Sequence, residues 1–227
     1  MTVTAIVIGR NEGPRLVACL NALQGQVARI IYVDSGSTDG SLVAASDLGA
    51  DVVQLDLSQP FTAARARNAG LAKVEDDISY VQFLDGDCIM ADGWLAKGQA
   101  WMVAHDDLGL VTGQAAEMRR DATVYNQMFD VEWKRPAGDI LACSGNMMVR
   151  THAFDAVGGF DPTVIAAEDD EFCTRLRKAG WRLERIPEDR ARHDANMTRF
   201  SQWWKRAERT GHGFAQVGHL HPDYFVR

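Results

Sequence analysis

Two carboxylates one residue apart, Asp85 and Asp87, end the apolar run of VQFLDGDCIM at residues 81–90. Acids this close repel each other and resist burial unless a positive charge lies between them, so the motif suits a divalent cation. Oxygen donors of this kind favour magnesium, manganese or calcium over zinc. A strand followed by an Asp-Gly turn with solvated acids is the alternative that the motif alone leaves open.

Three other segments carry groups able to do chemistry. YVDSGSTDG, residues 32–40, puts Asp34 before a small-residue loop, free to accept hydrogen bonds from a base or ribose, while Asp39 is placed to cap the next helix. FTAARARNAG, residues 61–70, sets Arg65 and Arg67 two apart on a helix, so one guanidinium at most faces a cleft, where it suits a diphosphate or a base edge. IAAEDDEFCTRLRKAGWRL, residues 165–183, has four consecutive acids at its front and Arg175, Arg177 and Lys178 at its back. That order suits a helix dipole, and a carboxylate near an acceptor hydroxyl suits a general base.

The elements that must position these groups follow from periodicity. Strand-like runs at 3–8, 29–34, 52–55 and 80–84 alternate with helix-like runs at 14–23, 41–48 and 62–71. This βαβαβαβ pattern predicts an α/β fold, a Rossmann-like, mostly parallel sheet flanked by helices, with ligands at the carboxyl ends of its strands. Asp34 and Asp85 fall at those ends. Beyond Asp92 a helix to His105, a strand at 110–112, and helices at 169–179 and 198–215 are expected in a less regular second half.

At 227 residues, with 46% hydrophobic and 24% charged residues, the chain has the composition of an ordinary globular protein with a sizeable core. The net charge of -7 opposes general nucleic-acid binding. No apolar stretch is long enough to span a bilayer and the N-terminus lacks a leader pattern, so a cytoplasmic protein is expected. Cys19, Cys88, Cys143 and Cys173 form no C-x-x-C pair and read as small core residues.

Taken in order, VIGRNEGPRL, VDSGSTDG, ARARNAG, FLDGDC, SGNMMVRTHAFDAVGGFDP, AEDDEFCTRLRKAGW and His193 resemble glycosyltransferase family 2, over roughly residues 4–213. The resemblance implies the GT-A fold in a single domain, 1–227, with a nucleotide-binding half at 1–90 and an acceptor-binding half at 91–227. It implies an inverting transfer of one sugar from a nucleotide-diphosphate sugar, most often UDP-linked, to a sugar or lipid-linked hydroxyl acceptor. The Gln-x-x-Arg-Trp signature of processive synthases is missing, which agrees with single transfers. By position, Asp34 matches the acid that recognises the base, Arg67 an arginine on nucleotide or phosphate, and Arg10 and Glu12 the lining of the same cleft. Asp85 matches a ribose or metal contact. Asp87 and His193 match ligands of Mn2+ or Mg2+, and Asp169 matches the catalytic base. Glu168, Ser144, Gly145 and Asn146 match the acceptor border. Proline and tyrosine, usual before Asn11, are replaced by Gly9 and Arg10.

Two rival readings are a haloacid-dehalogenase-like phosphatase, which also follows a strand with D-x-D, and a non-catalytic nucleotide-sugar binding module. Near the C-terminus, Met197, Phe200, Trp204, Ala207 and Gly211 recur at helical spacing, which predicts a core-facing stripe. Trp203, Lys205, Arg206 and Arg209 suit peripheral contact with lipid headgroups instead.

Overall fold

The computed structural model describes residues 3–223. Its front half runs β1 (Val3–Gly9), α1 (Pro14–Leu23), β2 (Arg29–Asp34), α2 (Ser41–Asp47), β3 (Asp51–Gln54), α3 (Ala63–Leu71) and β4 (Tyr80–Asp85). The back half adds β5 (Cys88–Met90), α4 (Trp94–Ala104), β6 (Leu108–Glu117), α5 (Val124–Trp133), β7 (Gly138–Asp139), β8 (Met147–Arg150), α6 (Thr151–Ala156), α7 (Glu168–Lys178), β9 (Arg182–His193) and α8 (Phe200–Leu220).

All the strands join one sheet in the order β3-β2-β1-β4-β8-β6-β9-β5, with β7 on β9. The first four strands are parallel, as the alternation requires. The back half is mixed, because β8 runs antiparallel to both β4 and β6 while β9 runs parallel to β6. Chain order reverses at β1, which pairs Gly9 with Asp34 on one side and Ile8 with Asp85 on the other. Asp34 and Asp85 therefore flank the end of β1, where an open α/β sheet forms its crevice.

Each face of the sheet has its own core. Val3, Ala5 and Val7 pack with Leu16, Leu20 and Trp94 on one side, while Ile6 and Ile8 pack with Phe83, Phe160 and Phe172 on the other. The strands look uniformly apolar because both faces are covered. A Cβ on Gly70 would meet Ile6 Cγ2 at 2.4 Å, so this glycine lets α3 lie close on β1. All four cysteines are free and buried, as expected.

The predicted stripe on the last helix is not a core face. Phe200 and Trp204 are 58% and 50% exposed, Ala207 and Gly211 face solvent, and the buried positions of α8 are Gly213 and Val217. The periodicity was apolar in the first half of α8, but contact falls in the second half. A Cβ on Gly213 would lie 2.6 Å from the carbonyl oxygen of Ala166, so a missing side chain lets α8 reach the start of α7. No helix among the described residues is long and apolar enough to cross a membrane.

Candidate active site

The cleft begins at the loop after β2. Asp34 is buried and is not left free as the sequence suggested. Its Oδ2 accepts the backbone N–H groups of Gly36 and Ser37, each at 2.8 Å, and its Oδ1 accepts the Tyr32 hydroxyl at 3.0 Å. One of the four lone-pair directions of a carboxylate remains, on Oδ1, so Asp34 fixes the loop without exhausting its capacity to accept. Asp39 accepts from the backbone N–H and hydroxyl of Ser41, at 3.1 and 2.6 Å, and supports the start of α2 from outside the cap position, which Gly40 occupies. Arg10 is exposed at the rim. Glu12 lies over Gly9 and Gly86, whose added Cβ atoms would come within 3.0 and 3.2 Å of its Cγ. Burial, with repulsion from Asp87 and Asp85, raises its pKa, although Arg15 at 2.5 Å opposes this.

On α3 one guanidinium of the pair does point inward. Arg65 donates to the carbonyls of Asp56, Gln59 and Pro60 near the surface. Arg67 is 2% exposed and holds two acids at once, Asp85 Oδ1 at 2.9 Å from Nη2 and Glu168 Oε1 at 2.5 Å from Nη1. Burial disfavours its charge, but Asp85, Glu168 and Asp169 outweigh that cost and raise its pKa. Gly145 makes room for it, since a Cβ there would sit 1.9 Å from Arg67 Nη2.

Cross-strand pairing brings the two expected metal ligands together. Cys88 on β5 lies opposite His193 on β9, and the neighbouring Asp87 then places Oδ2 2.9 Å from His193 Nε2. Two donors bound at about 2.1 Å and a right angle are separated by about 3 Å, so this spacing fits a small octahedral cation. Cys88 lies in the same cluster, with the three ligating atoms within 4.8 Å of one another. Burial, then repulsion from Asp87 and Asp85, holds its thiol well above the ordinary range. Asp87 and His193 supply an O/N donor pair suited to Mn2+ or Mg2+, whereas the soft sulfur of Cys88 suits such ions less. Asp87 is pulled down despite its burial by His193, and His193 is pushed up by Asp87 despite its own.

Asn146 and Gly145 have positions that the sequence did not foretell. Asn146 is buried, accepts the Asp85 backbone N–H at 2.7 Å through Oδ1, and donates to Cys88 Sγ at 3.1 Å through Nδ2. It braces the Asp-Gly-Asp turn from below, while Ser144 is exposed beside it. Trp133 is a further neighbour with no sequence signal. Its ring stacks on His193 at 4.5 Å and 16°, Phe129 stacks on Trp133 at 5.6 Å, and Arg206 of α8 covers Phe129 at 4.3 Å.

Helix α7 starts from Ala167, whose φ of 58 lies in the left-handed region that costs a residue with a Cβ about 1 kcal/mol or more. This turn sends Glu168 inward to Arg67 and leaves Asp169 partly exposed next to it. Burial, with repulsion from Glu168 and Asp170, raises the Asp169 pKa well above the carboxylate range, and Arg67 opposes the shift. A carboxyl so shifted is a stronger base when ionised than an ordinary aspartate.

Residues 124–199 match a model described as the N-terminal domain of galactosyltransferase. A pre-mycofactocin glycosyltransferase of Mycobacterium tuberculosis (strain ATCC 25618 / H37Rv) is 31% identical over 236 residues, covering 97% of this chain and 48% of that protein. The chain thus spans about half the length of that relative. Among solved structures, S. aureus TarS 1–349 in complex with UDP superposes with a TM-score of 0.68 and 19% identity, over 90% of this chain and 63% of that one. The mannosyltransferase PcManGT from Pyrobaculum calidifontis, in complex with GDP-Man and Mn2+, gives a TM-score of 0.67 and 23% identity, over 90% and 59%. These likenesses show the fold, GT-A. Residues 4–156, well over half the chain, match the model of glycosyl transferase family 2, and the chain belongs to that family.

Proposed function

We propose that this domain transfers one sugar at a time, with inversion, from a UDP- or GDP-linked donor to a hydroxyl of a sugar or lipid-linked acceptor, in the synthesis of a polysaccharide, glycolipid or glycoconjugate. The observation that carries the reading is the double ion pair of Arg67, which ties Asp85 at the end of β4 to Glu168, the neighbour of Asp169. It joins the side of the cleft suited to a diphosphate to the side that carries a strong base. Asp34, Arg10 and Glu12 then line the base and ribose end, and Ser144 meets the acceptor. Gly145, Asn146 and Glu168 serve the acceptor side through the groups they hold.

The chemistry needs one base and one leaving group. Asp169 takes the proton of the acceptor hydroxyl, the freed oxygen bonds to the anomeric carbon, and the bond from that carbon to the phosphate oxygen breaks. The electron pair leaves with the nucleoside diphosphate, and the new bond forms on the opposite face. A divalent cation held by Asp87 and His193 would offset the negative charge that develops on the leaving diphosphate. Asp85, fixed by Arg67 and Asn146, orients the ribose or the ion. A carboxyl of raised pKa beside an acid–histidine pair suited to a cation favours an enzyme over a passive binding module, and the family match favours sugar transfer over the phosphatase alternative.

The test is release of UDP or GDP from a panel of nucleotide sugars with mixed hydroxyl acceptors and Mn2+. Acceptor-dependent release with a product of inverted configuration supports the proposal. Phosphate release from p-nitrophenyl phosphate without sugar transfer would refute it.

A further inference from the structure

The molecule holds a second deeply buried arginine, which like Arg67 has an unpartnered Nε but whose terminal nitrogen meets hydroxyls where those of Arg67 meet carboxylates. Arg190, on β9, is 3% exposed. Its Nη1 donates to Thr112 Oγ1 at 3.0 Å and to Ser144 Oγ at 3.4 Å, and its Nε is buried without a partner. Where Arg67 has two carboxylates in contact, Arg190 has none among the described residues, and Asp85 attracts it only from a distance. Burying a guanidinium without a counter-charge is costly, and a chain with 31 acidic residues against 24 basic ones has ample acids to supply one.

Arg190 is also not alone. Arg185, half-buried on the same strand, repels it, and the exposed Arg135 repels Arg185 in turn. Among the described residues neither Arg185 nor Arg135 is ion-paired; Arg185 donates only to the carbonyl of Pro136, at 3.4 Å. Burial, more than this mutual repulsion, lowers the pKa of Arg185 and of Arg190. Three unpaired guanidinium groups thus grade from exposed to buried, and the innermost reaches the cleft at Ser144, on the acceptor side.

We propose that Arg190, with Arg185 and Arg135, forms a subsite for a phosphoryl group carried by the acceptor. A phosphomonoester brings up to two negative charges and three acceptor oxygens, which matches several unpaired guanidinium donors better than a single carboxylate does. The inference rests on the glycosyl-transfer reading for the word acceptor, but the anion site itself does not. Its donors are guanidinium groups, whereas the nearby Asp87–His193 pair offers a carboxylate and an imidazole suited to a cation, so the two sites differ in the charge they attract.

The experiment titrates wild-type protein, saturated with nucleoside diphosphate and Mn2+, with decyl phosphate, with glucose 6-phosphate, and with octyl glucoside as the neutral control. Binding of the alkyl phosphate alone identifies a lipid-linked phosphate, and binding of the sugar phosphate alone a phosphorylated glycan; both support the subsite. Arg190→Met and the less buried Arg185→Gln should each weaken phosphate binding about tenfold or more, as expected for loss of charge-assisted hydrogen bonds, and leave nucleotide binding intact. The thermal midpoint of Arg190→Met should not fall, because it removes an uncompensated charge. Phosphate binding no tighter than octyl glucoside, abolished by nucleotide saturation, or unchanged in both variants would overturn the subsite. Failure of wild type to bind any nucleoside diphosphate would count against the transferase reading instead, and titration of the nucleotide-free protein would then still decide the subsite.

Discussion

Arg67 Nη1 lies 2.5 Å from Glu168 Oε1, and through its other terminal nitrogen the same guanidinium reaches Asp85 at 2.9 Å. One side chain therefore sets the distance between the end of β4 and the first turn of α7. Its removal leaves the largely buried Glu168 and the one-third-exposed Asp85 uncompensated. Arg67→Met should destabilise the fold by about 3 kcal/mol, the lower end for a broken buried pair because Asp85 is partly solvated. Denaturant unfolding measures this, and a loss under 1 kcal/mol, roughly a surface pair, would contradict it.

Gly145→Ala tests the same bridge from the other side. A methyl group 1.9 Å from Arg67 Nη2 must displace the guanidinium. Sugar transfer should fall at least tenfold, and the effect of Gly145→Ala should largely vanish in an Arg67→Met background. Additive losses in a double-mutant cycle would show that the two residues act separately.

Asp169 gives a pH prediction with a definite sign. Its folded-state pKa is raised by burial and by Glu168 and Asp170, so the folded chain holds this proton more tightly than the unfolded chain. Stability from this group is present below the ordinary aspartate value, near about 4, and is lost as pH rises through the folded pKa. Asp169→Asn should remove that decline and leave the protein more stable than wild type at neutral pH. It should also lower kcat by about a hundredfold or more, the usual contribution of a general base, while sparing donor binding. In wild type, kcat should rise with pH through the same ionisation. Near-normal turnover in Asp169→Asn would remove the base assignment.

Trp133 stacks on His193 with a 4.5 Å separation and so orients the imidazole toward Asp87. Trp133→Ala should weaken Mn2+ affinity, measured by calorimetry, about tenfold, the scale seen when partners of metal ligands are removed, and Trp133→Phe should restore most of it. Equal affinities in all three proteins would make the stack incidental.

The sequence reading succeeded where chemistry is local. The four parallel strands followed from local patterning, whereas the inward choice of Arg67 over Arg65 and the approach of Asp87 to His193, distant in sequence, were reached only through the family resemblance. It fell short where long-range packing decides. Nothing in the spacing of Asn146 reveals that it braces the Asp-Gly-Asp turn, and Trp133 meets His193 only because α5 and β9 flank the same strand, β6. The stripe on α8 failed because Gly213, with no side chain, makes the contact that larger residues would otherwise make.

That failure exposes an aromatic and basic surface. Phe200, Trp203 and Trp204 cluster at the start of α8, close in sequence to Lys205 and Arg209. Wild type should float with vesicles rich in anionic lipid, and Phe200→Ala with Trp204→Ala should reduce the bound fraction, since the aromatic side chains supply the apolar contact. Equal flotation of wild type and the double variant would exclude this surface as the contact.

The most direct measurement is calorimetric titration of UDP and GDP into wild type and Asp87→Asn, each with Mn2+ and with chelator. Wild type should bind one of the two nucleotides in the presence of Mn2+, with chelation or Asp87→Asn weakening that binding at least tenfold, because both remove the link between the carboxylate and the diphosphate. Binding that is indifferent to the metal and to Asp87, or no binding of either nucleotide, would contradict a nucleotide-sugar site at the Asp87–His193 pair.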